Sequence, residues 1–108
     1  FIAHTQNPML IRIVRMTFRP DALDEFHQIF EQSKQKIRAF PGCQHLELLQ
    51  DADQPNVRLT YSFWASADAL EAYRRSDLFR TTWAATKLLF AEKPMAFSAE
   101  QLEVVNAT

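Results

Sequence analysis

The chain has 108 residues, 47% of them hydrophobic, and its 12 basic and 13 acidic residues leave a net charge of −1 at pH 7. This length suits one domain with one core, and the balanced charge argues against nucleic acid or a membrane surface as a partner. One cysteine, no signal-peptide pattern and no apolar run of about 20 residues predict a cytoplasmic protein that does not span a membrane. The single glycine disfavours the glycine-rich loops of nucleotide sites, so we expect no cofactor.

The first half of the chain predicts a strand followed by a long helix. Residues 1–8 have no hydrophobic period and are interpreted as a disordered extension or an expression remnant, which leaves 9–108 as the domain. Leu10–Arg19 is rich in β-branched residues and apolar on both faces, as in a strand. Pro20–Ala39 starts with proline and acidic residues and has a helical hydrophobic period. Pro41-Gly42 ends this helix.

The middle of the chain predicts a β-hairpin. Cys43–Asp51 and Val57–Ala65 are hydrophobic runs, and turn-forming residues connect them. Strand alternation gives the second run two distinct faces. One face holds Val57, Leu59, Tyr61 and Phe63, and the other holds Arg58, Thr60, Ser62 and Trp64.

Two further helices and a last strand complete the pattern. Ser66 and Ser76 are N-cap residues, which predict a short helix to Arg75 and a second helix that ends before Pro94. Met95–Val105 predicts a fourth strand. Without the break at Ser76 the order is βαββαβ, an α+β ferredoxin-like fold with a four-stranded antiparallel sheet and helices on one face.

The uncovered face of this sheet predicts a dimer. The first strand offers Ile11 and Ile13 on or near that face, but helices can cover one side of the sheet at most. A large exposed apolar patch normally marks an interface. We therefore expect a homodimer in which two sheets pack against each other with isologous symmetry.

Three segments carry a further pattern: FPGCQHLELLQD at residues 40–51, YSFWASADALEAY at 61–73 and SDLFRTTW at 76–83. With them the chain, from about Met9 to Val105, resembles the antibiotic biosynthesis monooxygenase domain family of the dimeric α/β-barrel superfamily. The resemblance implies the fold above, a homodimer, and a small aromatic ligand bound between sheet and helices.

The resemblance implies three activities in decreasing order of fit. The first is cofactor-independent oxidation of an aromatic phenol or quinol by O2; members of that kind pair a strand Trp with an Asn four residues earlier, where this chain has Trp64 and Thr60. The second is ligand binding without turnover. The third is haem degradation, which fits least because Val14, Tyr73 and Trp83 occupy the positions of the Asn, Trp and His ligand of those enzymes.

Three residues are candidate catalytic groups. Trp64 can stack on a flat substrate, Tyr73 can hydrogen-bond a phenolic oxygen, and His45, which shares a strand face with Glu47, can act as a general base. Each also has a structural interpretation, as core, interface or rim packing. The candidate substrate-binding residues are Thr60, Val14 and Trp83. His45 and Glu47 are too few for a metal site, so none is expected.

Two arginines interrupt the hydrophobic strands. Arg12 and Arg58 could hold a substrate carboxylate or phenolate, or pair with Glu47 or Glu103 across the sheet or the dimer. Ion pairing is the favoured interpretation.

Overall fold

The computed structural model describes residues 9–107 and consists of four strands and three α-helices. The strands are β1 (Leu10–Thr17), β2 (Cys43–Gln50), β3 (Val57–Trp64) and β4 (Met95–Glu100). The helices are α1 (Leu23–Arg38), α2 (Ala67–Arg74) and α3 (Asp77–Lys87). The extension expected at residues 1–8 lies outside the described part of the chain. No helix between residues 9 and 107 is long and apolar enough to cross a membrane.

The strands form one antiparallel sheet in the order β2-β3-β1-β4. In the central pair, Leu10 lies opposite Trp64 and Val14 lies opposite Thr60. On the other side of β1, Val14 lies opposite Ala96. This sheet with its three helices is the α+β ferredoxin-like fold that the order of elements predicts.

Two boundaries differ from the expectation. Pro20–Ala22 forms a separate 3-10 turn before α1, because Ala22, with φ −106° and ψ 2°, departs from helical geometry between the two. The last strand ends at Glu100 rather than Val105. Glu100 pairs with Leu10, the first residue of β1, so the ladder ends where its partner strand begins.

Serine caps fix the starts of the two short helices. The Ser66 hydroxyl accepts a hydrogen bond from the backbone N–H of Ala69, and the Ser76 hydroxyl accepts one from Phe79. Each cap contributes about 1 kcal/mol. Since α2 and α3 carry Tyr73 and Trp83, the caps also determine where these rings lie.

The core lies between the helices and the inner face of the sheet, in two clusters. The first is formed by Met16, Phe18, Ala22, Phe26 and Leu89. The second is formed by Cys43, Trp64 and Leu70. Cys43 is buried, as expected of a small core residue.

The outer face of the sheet has no helix against it. Ile13 of β1 lies between Tyr61 and Phe97 in the strand register. Phe97 is 53% exposed and Met95 is 61% exposed in the single chain. A hydrophobic face of this kind is what the sequence predicts, and its burial by a second copy stays a prediction.

Candidate functional site

A cavity of about 290 Å³ lies between the inner face of the sheet and the three helices. Its lining includes members of both core clusters, so the cavity separates them. The strands contribute Arg12, Val14, Met16, Leu46, Thr60, Ser62, Trp64 and Ala96. The helices contribute Phe26, Ile29, Phe30, Ser33, Ile37, Leu70, Tyr73, Arg74, Phe79, Thr82, Trp83 and Thr86.

Five of the six residues expected at the site line this one cavity: Trp64, Tyr73, Thr60, Val14 and Trp83. Strand register explains part of this grouping. Val14 and Thr60 are directly opposite each other across β1 and β3, and side chains of such a pair stand on the same face. Together with Ala96 they form a row across the floor of the cavity.

Aromatic rings form one wall. The Trp64 and Tyr73 rings are stacked, with centroids 4.9 Å apart and planes inclined by 23°. Phe79 packs edge-on against Tyr73 at 5.2 Å, and it stacks on Trp83 at 5.8 Å with planes inclined by 12°. This wall offers ring faces and edges to a flat apolar ligand.

The Trp64 indole N–H is already used by the protein. Nε1 donates to the Ser62 hydroxyl over 3.0 Å, and the residue is 1% exposed. Trp64 therefore offers its ring to a ligand while its donor is occupied. The Ser62 oxygen accepts this bond and retains its own proton to donate.

The Tyr73 phenol stays protonated at neutral pH. Burial, and secondarily the nearby Cys43 thiol, raises the pKa of Tyr73 to about 12. A neutral phenol can donate a hydrogen bond to a substrate oxygen, but it does not act as a base near pH 7.

The remaining hydroxyls in the lining differ in their availability. Ser33 donates to the Ile29 carbonyl over 2.8 Å, and Thr86 donates to the Thr82 carbonyl over 2.7 Å. Both protons are thus directed into the helix backbone. The Thr60 side chain forms no hydrogen bond with any residue between 9 and 107, so its hydroxyl is available to a ligand.

His45 lies on the opposite face of the sheet from the other five candidates. Its Nε2 hydrogen-bonds the Glu47 carboxylate, and its ring packs on Phe63 at 4.9 Å and near Tyr61 at 6.3 Å. Leu46, between these two polar residues, points to the cavity instead. The imidazole therefore has no direct access to a ligand in the cavity.

Arg12 and Arg58 lie on the helix-facing side, and neither reaches Glu47 or Glu103 within the described chain. Arg58 bonds His27 and the Pro55 carbonyl, away from the cavity. The ion pair expected within one chain is therefore wrong, because Glu47 projects from the outer face. Arg12 lines the cavity; its alternation with Val14 and Met16 along β1 is the sequence signal for this placement.

The residues of the cavity do not suit a haem or a metal ion. Within residues 9–107, no histidine or cysteine lines it. Within residues 9–107 no group of three His, Cys, Asp or Glu side chains is arranged to hold a metal.

The family model for antibiotic biosynthesis monooxygenases matches residues 9–85, well over half of the chain. The chain belongs to the antibiotic biosynthesis monooxygenase family. The match includes β1, the hairpin and most of α3, and thus nearly all residues that line the cavity. No functionally curated protein matches the chain.

Solved structures share the fold, and those from Caulobacter crescentus and Nitrosomonas europaea are named after this family. One from Caulobacter crescentus has a TM-score of 0.84 and 23% identity, covering 90% of this chain and 92% of that one. One from Nitrosomonas europaea has a TM-score of 0.80 and 22% identity, covering 93% and 96%. A Mycobacterium tuberculosis protein has a TM-score of 0.82 and 21% identity, covering 91% and 99%. At these identities the similarity shows the fold alone.

Proposed function

We propose that the protein is a cofactor-independent monooxygenase that oxidises a small aromatic phenol or quinol with O2 in the cavity. The observation that carries this proposal is the apolar cavity of about 290 Å³ beside the stacked Trp64 and Tyr73 rings. In a family named for monooxygenases, such a cavity is the natural place for the reaction.

The cavity volume limits the size of the substrate. An apolar cavity of about 150 Å³ accommodates benzene. A cavity of about 290 Å³ is roughly twice as large and suits two or three fused rings. It is too small for a haem without expansion, and residues 9–107 place no histidine in its lining.

The chemistry requires no reductant besides the substrate. A phenolate or enolate donates an electron to O2, and the radical pair then combines at carbon. For a CH2 carbon conjugated to the phenol, CH2 + O2 gives C=O + H2O, so atoms and electrons balance. The protein's part is to exclude water, orient the ring and favour the deprotonated substrate.

The cavity residues suit these tasks. Trp64 and Trp83 present ring surfaces, and Val14 provides an apolar contact on the floor. Tyr73 can donate its phenolic proton to a substrate oxygen, and Thr60 can donate or accept beside it. Because Thr60 replaces the Asn of some family members, its contribution is weaker than that of an amide.

Oxygen uptake with anthrone as substrate tests the proposal. We expect uptake above the protein-free rate, with one atom of isotopically labelled O2 in the product. Tyr73→Phe removes the phenolic donor and should lower the rate by about tenfold or more. Arg80→Gln, at an exposed residue of α3 outside the cavity, is the control and should leave the rate within about twofold.

The alternative is a protein that binds the same class of ligand without turnover. It is favoured by the lining that residues 9–107 contribute, which includes no carboxylate or imidazole to act as a general base. If anthrone binds to the protein but oxygen uptake equals the protein-free rate, the monooxygenase proposal fails and the binding function replaces it.

We also propose that the working form is a homodimer joined through the outer face of the sheet. The support is the row formed by Ile13 with Tyr61 and Phe97, which no helix covers. A cytoplasmic location is proposed as well, because the buried thiol of Cys43 is unpaired, as expected in a reducing compartment.

A further inference from the structure

Two arginines are the charged side chains in the lining of the cavity. Arg12 comes from the centre of the sheet on β1, and Arg74 comes from the last turn of α2. The Arg74 side chain is about half exposed, so this pair marks the end of the cavity that opens to solvent. No acidic residue of the described range 9–107 shares the lining with them.

The protein neutralises this pair incompletely. Arg12 donates from Nη1 to the Ser98 hydroxyl over 3.1 Å, and no carboxylate between residues 9 and 107 lies within 4.0 Å of it. Glu100, the nearest acid along β4, pairs in register with Leu10 and forms no ion pair with Arg12. A neutral hydroxyl satisfies one donor of the guanidinium and leaves its charge uncompensated.

Among residues 9–107, the one carboxylate within 4.0 Å of Arg74 is shared. Glu71 lies 3.7 Å from Nη1 of Arg74 and 3.2 Å from Nε of Arg75. Glu71 is thus divided between two arginines and does not fully neutralise Arg74. Desolvation by burial, followed by the positive charge of Arg74, lowers the pKa of Arg12, and the guanidinium remains charged at neutral pH.

We propose that Arg12 and Arg74 hold an anionic oxygen of the aromatic ligand, while its rings lie against Trp64 and Tyr73. Guanidinium groups bind carboxylates and ionised phenols through charge-assisted hydrogen bonds, which are stronger than neutral ones. The ligand class is therefore a two- or three-ring aromatic with a carboxylate or phenolate at one end. This inference rests on the cavity being the ligand site, but not on turnover.

For a phenol the pair has a chemical consequence. Two positive charges beside the bound oxygen stabilise the phenolate over the phenol. The proton passes to solvent water at the open end, and no side-chain base is needed. In this way the arginines activate the substrate in a cavity to which residues 9–107 contribute no carboxylate or histidine.

The test compares probes of equal shape and different charge. Binding of 2-naphthoate and of neutral 2-naphthamide is measured by calorimetry at neutral pH on the full chain. We expect naphthoate to bind about tenfold or more tightly than naphthamide. The phenolate source is tested with 2-naphthol, whose absorbance reports its ionisation; binding should lower its apparent pKa, since the bound phenolate is favoured.

Two variants and one control locate the effect. Arg74→Gln alters a half-exposed residue at the end of α2, and Arg12→Gln removes the more buried charge. Each variant should lower the affinity for naphthoate by about tenfold and change the affinity for naphthamide by less than about twofold. Arg80→Gln, on α3 and paired with Asp77 at 2.9 Å, removes the same charge outside the cavity and should alter neither.

Equal affinity for naphthoate and naphthamide together with an unshifted naphthol pKa overturns the inference, and so does the absence of binding of all three probes. An equal loss of affinity for naphthoate and naphthamide in Arg74→Gln also overturns it. Preference for naphthoate with an unshifted naphthol assigns the site to carboxylates, and a shifted naphthol without that preference assigns it to phenolates. Absence of oxygen uptake in a protein that passes these tests removes the monooxygenase proposal and leaves the anion site in place.

Discussion

The Trp64 indole lies nearly parallel to the Tyr73 ring, 4.9 Å away, although the two residues come from β3 and α2. Phe40 contacts both rings edge-on, at 6.4 Å from Trp64 and 5.4 Å from Tyr73. This stack closes one wall of the cavity, so any change that moves α2 relative to the sheet also alters the ligand site.

The first prediction concerns the bond between Trp64 and Ser62. Ser62→Ala leaves the indole N–H without a partner in a site that is 1% exposed, and should lower the free energy of unfolding by about 1–3 kcal/mol. In a Trp64→Phe background the same change should cost less than about 0.5 kcal/mol, because no donor remains. Urea unfolding of the four proteins measures both costs. Equal costs in the two backgrounds would show that the hydrogen bond does not hold the indole.

The second prediction concerns the ionisation of Tyr73. In Tyr61→Phe, Tyr73 is the remaining one of the chain's two tyrosines, and its tyrosinate absorbance should appear with a midpoint near pH 12, instead of the usual 10. The folded state holds this proton more tightly than the unfolded state. The contribution of Tyr73 to the free energy of unfolding should therefore be constant below about pH 10 and fall as the pH rises towards 12.

Other groups also titrate in this range, and Tyr73→Phe is the control for them. The part of the alkaline fall in stability due to Tyr73 should be absent from that variant. A tyrosinate midpoint near 10 in Tyr61→Phe would mean that the phenol is not buried as described, and would remove its role as a neutral donor.

The sequence predicts the fold and most of the site because these depend on local patterns. Strand alternation in β3 puts Thr60 and Trp64 on the inner face together. Serine caps at Ser66 and Ser76 predict the helices that carry Tyr73 and Trp83. These patterns depend on residues that are close together in the chain. Tertiary packing leaves the secondary structure that they predict unchanged.

His45 shows where local patterns fail. Cys43 and His45 are two residues apart, which places them on one face of a regular strand. A β-bulge between them shifts the register, so Cys43 packs in the core against Trp64 while His45 faces outward. The extra residue of a bulge leaves no clear signal in one sequence.

The arginine pair shows a second limit. Arg12 and Arg74 come from elements far apart in the chain, and their approach depends on how α2 packs on the sheet. The same is true of the indole bond to Ser62, since the sequence gives the shared strand face and not the rotamer of Trp64. Contacts that depend on how the elements pack together can be identified only from the three-dimensional structure.

The third prediction concerns the dimer. Wild-type protein should have twice the mass of the 12.6 kDa chain by light scattering. Ile13→Glu puts a charge at the centre of the outer face, between Tyr61 and Phe97, and should yield a folded monomer because an unpaired buried charge is costly. Leu88→Glu, at a residue that is 75% exposed beyond α3, should leave the dimer intact. A wild-type monomer would contradict the proposed interface, as would a dimeric Ile13→Glu.

The fourth prediction concerns Gly42, between α1 and β2. Its φ of 90° is a conformation that residues with a Cβ rarely adopt, and a Cβ built there would lie 2.4 Å from Cβ of Ala69 on α2. Gly42→Ala should lower the free energy of unfolding by about 3 kcal/mol, the sum of backbone strain and the clash. It should also weaken ligand binding, because α2 must shift and it carries Tyr73.

Ala69→Gly separates the two contributions. Alone it should cost about 1 kcal/mol, as glycine does inside a helix. In its background Gly42→Ala should cost about 1–2 kcal/mol, since the backbone strain remains and the clash is relieved. Ligand affinity should recover in the double variant, because α2 can return to its place. If Gly42→Ala costs the same in both backgrounds, contact with Ala69 is not what couples this turn to the cavity.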